Sequence, residues 1–197
     1  YKRQKSDFEQ KYQINVTLHE FDALKIDSHK HFANSLPQLP NVIVCAVGNM
    51  GEQKKNEQDI EIASKVIRSN FEGPASILLI FANLFEQRGS GTLVGISSVA
   101  GERGRAKNYI YGSSKAGFTV FLSGLRNRLA MSGVHVITVL PGFVATKMTN
   151  NIQLPKKITA QPDQVGKAIF NAVKKKKNIV YDSPIWRIIM MIKINIP

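Results

Sequence analysis

Three short runs of apolar, largely β-branched residues limit what this chain can fold into. They are residues 41–47 (Asn-Val-Ile-Val-Cys-Ala-Val), 92–97 (Thr-Leu-Val-Gly-Ile-Ser) and 134–140 (Val-His-Val-Ile-Thr-Val-Leu). A half-exposed strand alternates apolar and polar side chains, whereas these runs are apolar almost throughout. Strands of that kind belong to parallel sheets covered by helices on both faces. Parallel neighbours need long crossovers, and helical patterns fill the intervals between the runs. The expected fold class is α/β: a doubly wound parallel sheet in three layers.

The remaining elements follow from periodicity and punctuation. Residues 4–11 are charged and helix-compatible, and 13–21 alternate as a strand exposed on one side would. Asp22-Ala23 breaks that strand, and 27–35 reads as a short helix capped by Asp27 or Ser28. Pro37 and Pro40 bracket a loop. A helix over 59–69 is interrupted at Asn70-Phe-Glu-Gly-Pro, and Pro74 opens a second stretch over 75–86 that Gly89 and Gly91 stop. The longest helix spans 108–131 with Phe118, Phe121, Leu122, Leu125 and Leu129 on one stripe. A loop from Pro141 to Thr146, a helix over 161–175 and a short strand over 178–181 complete a domain of residues 1–182. Residues 183–197 form an apolar tail.

Composition narrows the setting. The one cysteine, Cys45, allows no internal disulfide, suits a reducing, cytoplasmic compartment, and lies in an apolar run as a buried thiol would. The net charge is +13, with lysines at 54–55, 156–157 and 174–177. Those clusters are short, scattered and free of interleaved aromatics, so no nucleic-acid partner is expected. A basic surface that is solvated, or that meets anionic lipid or a phosphorylated substrate, fits better. The polar amino terminus holds no signal peptide or spanning segment and no initiator methionine; the chain reads as beginning partway through a protein.

The chemistry centres on residues 95–115. Tyr111 and Lys115 are four apart and share a helix face. Alone the spacing means little, since Tyr1 and Lys5 reproduce it. Its company carries the weight. Ser98 stands at one strand's carboxyl end, Asn70 at a helix interruption, and Pro141-Gly142 and Thr146 at the end of the next strand. All fall on the edge of a parallel sheet where ligands bind. A tyrosine has a pKa near ~10, and a neighbouring ammonium lowers it towards a workable general acid/base.

Taken together these motifs resemble the short-chain dehydrogenase/reductase family over residues 22–186. Asp22-Ala23 is similar to the family's adenine-contacting Asp-Val. Cys45-Ala46-Val47-Gly48 stands where the family has Asn-Asn-Ala-Gly and keeps only the glycine. Pro141-Gly-Phe-Val-Ala-Thr146 matches the family's Pro-Gly-x-Val-x-Thr loop without a gap. The resemblance implies a Rossmann-like fold, NADP or NAD as cofactor, no metal, and a homodimer or homotetramer built through the long helices. It implies that Tyr111 is the general acid, that Lys115 also bonds the nicotinamide ribose, that Ser98 holds the carbonyl oxygen and that Asn70 anchors a relay water. Asp22, Ala23, Ala46, Val47, Gly48, Pro141, Gly142, Val144 and Thr146 join Tyr111 and Lys115 in holding the cofactor. The family's glycine-rich phosphate loop has no counterpart, as no glycine precedes Gly48. The residues that select the nicotinamide form are missing with it.

The wording of residues 97–117 and 45–53 is similar to the branch of decaprenylphosphoryl-2-keto-pentose reductases. That likeness implies a ketosugar on a polyprenyl phosphate as substrate, with Arg103, Arg105 and Lys107 near the site entrance or merely decorating a loop. Two alternatives stand beside it: reduction of a 3-oxoacyl thioester or other ketone, and a non-catalytic binding relic. The apolar tail is too short to cross a bilayer. It is compatible with an interfacial position that sets Trp186 at headgroup depth against the inner face of the membrane, with a lid over a lipid substrate, with a subunit contact, or with a helix closing the core.

Overall fold

The computed structural model describes residues 2–150 and 153–195; Tyr1 of the Tyr1–Lys5 pair and the last two residues of the tail, 196–197, lie outside them. The strands are β1 (Val42–Cys45), β2 (Gly91–Ile96), β3 (Val134–Leu140), β4 (Phe143–Val144), β5 (Thr159–Ala160) and β6 (Ile179–Tyr181). The helices are α1 (Lys2–Tyr12), α2 (His29–Ser35), α3 (Gln53–Gln58), α4 (Ile60–Ile67), α5 (Gly73–Arg88), α6 (Tyr109–Arg128), α7 (Pro162–Lys174) and α8 (Pro184–Ile194). The main sheet runs β1-β2-β3-β6, parallel throughout. Cys45 pairs with Gly95, Gly95 with Thr138, and Thr138 with Ile179, so the carboxyl ends of all four strands fall on one edge.

Neighbouring residues on the central strands point into different cores. Leu93 and Val136 face one layer, where they meet Phe81 and Phe85 of α5 and Phe118, Leu122 and Leu125 of α6. Val94, Ile137 and Val139 face the other, under Ala172 of α7. Each large side chain removed from water there contributes roughly 1.5–3 kcal/mol. A third cluster, Val99, Leu140, Trp186 and Met190, seats α8 against the carboxyl edge of the sheet. This is the Rossmann-like α/β arrangement that the apolar runs imply.

Several boundaries depart from expectation. Residues 13–21 form no strand and are mostly exposed. A strand needs a neighbour to satisfy its backbone, and none of the described residues pairs with this stretch. β1 is buried on one face only, because α7 covers β2, β3 and β6, and leaves Val42 and Val44 partly exposed. The stripe Phe118, Leu122, Leu125 and Leu129 faces the chain's own core. Those four side chains are used inside the chain, while Phe121 of the same stripe is only partly buried. Leu122 is fully buried between β2 and α5, so Leu122→Ala is expected to lower the unfolding free energy by about 2–5 kcal/mol in a urea titration.

Candidate active site

Glycines bring the expected site residues together. β2 runs into Ser97 and Ser98, and a 3₁₀ turn, Val99–Gly101, follows with Ser98 as its cap, Ser98 Oγ accepting from Ala100 N at 3.1 Å. This turn lies against the start of α6. A Cβ on Gly101 would stand 2.6 Å from Ala116 N, and one on Gly112 would stand 2.8 Å from Ala100 O. Only hydrogen at both positions permits the approach. Ser97 fastens it from below, its Oγ donating to Lys115 O at 2.9 Å and meeting Thr119 Oγ1 at 2.7 Å. The Tyr111 hydroxyl, in the first turn of α6, consequently comes beside the Ser98 side chain, near enough for the two groups to influence each other.

Lys115 lies one turn further on and is 3% exposed. Its Nζ donates to Ile96 O at 2.9 Å and sits 5.9 Å from the Tyr111 ring centre. Burial pushes its pKa down to about 8, opposed by the electrostatic influence of Cys45. Burial likewise pushes Tyr111 up, opposed by the Ser98 side chain. The expected lowering of Tyr111 by Lys115 is not found in this geometry. The ammonium is turned towards the Ile96 carbonyl, and desolvation of the phenol dominates.

Asn70 lies in a π-helical turn, Arg68–Glu72, the irregularity expected between α4 and α5. Fully buried, it donates through Nδ2 to Val66 O at 2.7 Å and to Asn49 O, and accepts at Oδ1 from Asn49 N at 3.2 Å. It thereby pins the chain that leaves β1. A Cβ on Gly48 would come 2.7 Å from Asn70 Oδ1 and 3.3 Å from Lys115 Nζ, so the backbone there passes close over both groups. After β3, Val99 N donates to Pro141 O at 3.1 Å and Gly142 N to Asp182 Oδ1 at 2.9 Å. Val144 pairs with Ala160, and Thr146 caps the next turn in a reciprocal arrangement with Thr149.

These segments surround one cleft of about 1170 Å³. Ala46, Val47, Gly48, Asn70, Ser98, Tyr111, Lys115, Pro141, Gly142, Val144 and Thr146 all line it, as do Arg105 and Lys107. Three expected residues do not. Asp22 folds back on Leu24 N at 2.9 Å, and its carbonyl meets Nε2 of buried His29 at 3.1 Å. Ala23 packs on the start of α5, where its carbonyl would lie 2.2 Å from a Cβ on Gly73. Arg103 donates to Lys193 O at 2.6 Å, at the electronegative end of α8.

The cleft also has a wall that motif reading missed. Trp186 lines it, is 2% exposed, donates to Ile158 O at 3.3 Å and meets Phe143 edge-on. Its ring fills the place a Cβ on Gly142 would take, at 1.9 Å. Trp186 is thus an interior residue, not one set at headgroup depth, and α8 closes the core.

The comparisons with known proteins agree with this geometry. A family model described as short chain dehydrogenase matches residues 4–157. An uncharacterised oxidoreductase of Mycobacterium tuberculosis is 35% identical over 171 residues, which are 85% of this chain and 68% of that protein. The ketoacyl reductase HetN of a Nostoc species is 38% identical over 105 residues, 50% of this chain and 37% of that protein. A solved short chain dehydrogenase from Burkholderia cenocepacia, in complex with NADP, superposes with a TM-score of 0.79 at 21% identity, over 89% of this chain and 75% of that one. At that identity the likeness is one of fold. The matched stretch carries Asn70, Ser98, Tyr111, Lys115 and Thr146 in order, and the chain belongs to the short-chain dehydrogenase/reductase family of oxidoreductases.

Proposed function

We propose that this chain reduces a carbonyl group with Tyr111 as the proton donor and NADP or NAD as the cofactor. The observation that carries the reading is the convergence of the Tyr111 and Ser98 hydroxyls and the Lys115 ammonium, all largely buried, on one wall of the cleft. The donor set fits a nicotinamide. Lys115 has three N–H groups and its carbonyl bond uses one of them. The missing Cβ of Gly48 leaves room beside it, and the Val144 backbone and Thr146 line the same cleft. A nicotinamide bound there supplies the hydride.

The chain's own groups do the rest. With its pKa raised by burial, Tyr111 holds its proton at neutral pH, which suits an acid that gives it to the carbonyl oxygen. Ser98 Oγ is placed to donate to that oxygen as charge gathers on it. Lys115 lies behind the pair with its ammonium on the Ile96 carbonyl, where its remaining N–H groups are free to hold the cofactor. Asn70 has spare acceptor capacity at Oδ1 for a relay water.

Arg105 and Lys107 give the mouth of the cleft a positive rim and favour a substrate with an anionic group. A ketosugar on a polyprenyl phosphate fits that rim and the branch resemblance. A 3-oxoacyl thioester on a phosphorylated carrier fits it too, and the likeness to HetN favours this second reading.

Three measurements test these statements. Tyr111→Phe is expected to lower ketone reduction by at least about 10²-fold while NADPH affinity stays within threefold; unchanged turnover would overturn the mechanism. Lys107 is exposed and makes no hydrogen bond or ion pair with the described residues, so Lys107→Gln removes charge without breaking a contact. It should raise KM about fivefold for a phosphate-bearing ketone and leave a neutral ketone unaffected, for one charge–charge contact is worth up to ~1 kcal/mol at a wet rim. The third concerns Lys115, whose folded pKa is lowered to about 8. Between that value and its unfolded value the folded chain binds fewer protons, so its contribution to stability rises with pH in that window. The parent should gain about 2 kcal/mol over Lys115→Met between pH 8 and pH 10 in urea unfolding, and parallel curves would refute the shift.

A further inference from the structure

The parallel ladder between β3 and β6 ends at Leu140 opposite Tyr181. The next rung is made by a side chain. Asp182 Oδ1 accepts from Gly142 N at 2.9 Å, in the loop that carries Val144 and Thr146 along the cleft. Burial pushes this carboxyl up, and the amides of Gly142 and Ser183 pull it back. Its other oxygen, Oδ2, is buried and has no hydrogen-bond partner among the described residues. A carboxylate with one buried, unpartnered oxygen is costly, and a fold keeps one where its contacts matter. Asp182 and its neighbours lie outside the stretch that the family model matches.

We propose that Asp182 is a positioning residue for the cofactor-facing loop: it holds the Gly142 amide and so fixes the backbone that meets the nicotinamide. This rests on the reductase reading above. Gly142 has no side chain by which to be held, because Trp186 occupies that space. The loop is otherwise fastened by Val99 N on Pro141 O and by the two-residue pairing of β4 with β5, on either side of Gly142. Among the described residues, Asp182 makes the hydrogen bond that holds the Gly142 amide at its turn. The preceding residue serves as an internal comparison: the Tyr181 hydroxyl donates to Glu102 Oε1 at 2.7 Å, beyond Ser98 and away from the loop.

Trp186 is the only tryptophan and lines the cleft, so energy transfer from it to a reduced nicotinamide reports binding. The complete protein is titrated with NADPH and with NADH. Asp182→Ala should weaken the better of the two at least tenfold, as expected for a hydrogen bond to a charged group. Asp182→Asn keeps an acceptor for the Gly142 amide and should stay within threefold. Tyr181→Phe should lose thermal stability and also stay within threefold. Binding by Asp182→Ala within threefold of the parent overturns the inference, as does equal weakening by Tyr181→Phe, which would mean general loosening. Should Asp182→Ala fail to fold, Asp182→Glu displaces the acceptor while keeping the charge and is read by the same criterion. A parent that binds neither nucleotide refutes the reductase reading itself, a result distinct from a parent that binds and an Asp182→Ala that binds equally.

Discussion

The close approach of α6 to the carboxyl end of β2 is the constraint on which the rest of the site depends. Three glycines make it possible. A Cβ on Gly95 would meet Leu122 at 2.4 Å, one on Gly101 would meet the backbone of α6, and one on Gly112 would meet the carbonyl of Ala100. Protein interiors transmit displacements of this size because they are packed as densely as crystals. A helix pushed out at any of the three points would carry Tyr111 away from Ser98 and Lys115 away from the Ile96 carbonyl. Hydrophobic packing of Phe118 and Leu122 and the polar geometry of the site are thus one event, set by the same helix position.

That position has an electrostatic consequence. Burying an ammonium and a phenol side by side penalises the charged form of each, so both pKa values move towards neutrality of the groups. The tyrosine keeps its proton and the lysine is brought down to about 8, and the Ser98 side chain stands beside the phenol on the same wall of the cleft, the arrangement on which the proposed proton transfer rests.

How much of this was legible depended on whether a residue's role lies in local spacing or in what packs against it. The strands at 92–97 and 134–140 were found to within a residue, because a continuous apolar run has few other solutions. Ser98, Asn70 and Tyr111 were legible through their order along a parallel sheet, and Asn70 through the glycine and proline that interrupt its helix. The 13–21 segment misled because alternation shows what a strand exposes but not whether a neighbour exists to pair with it. Arg103 and Trp186 misled for a related reason. A basic loop and an amphipathic tail each look outward in sequence, yet here they face each other through α8, Arg103 capping its last turn and Trp186 entering the cleft. The sign of the Tyr111 shift was beyond sequence altogether, since it turns on which way a buried lysine points.

The segment after β6 therefore has a larger part in the site than its composition suggests. The motifs that resemble the family's site end at Thr146, but the loop that bears Thr146 is shaped from behind by residues some forty positions later. Gly142 can carry no side chain because Trp186 fills that space, and its amide is satisfied by Asp182, which follows the last rung of β6. Trp186 and Met190 are in turn held by Val99 and Leu140, the residues that immediately follow Ser98 and precede Pro141. Each of the two site loops thus begins at a residue that packs under α8. Substitutions that loosen α8 should disturb both loops together, whereas those at Tyr181 or Asp182 act on one loop at a time, because the two side chains point to different partners.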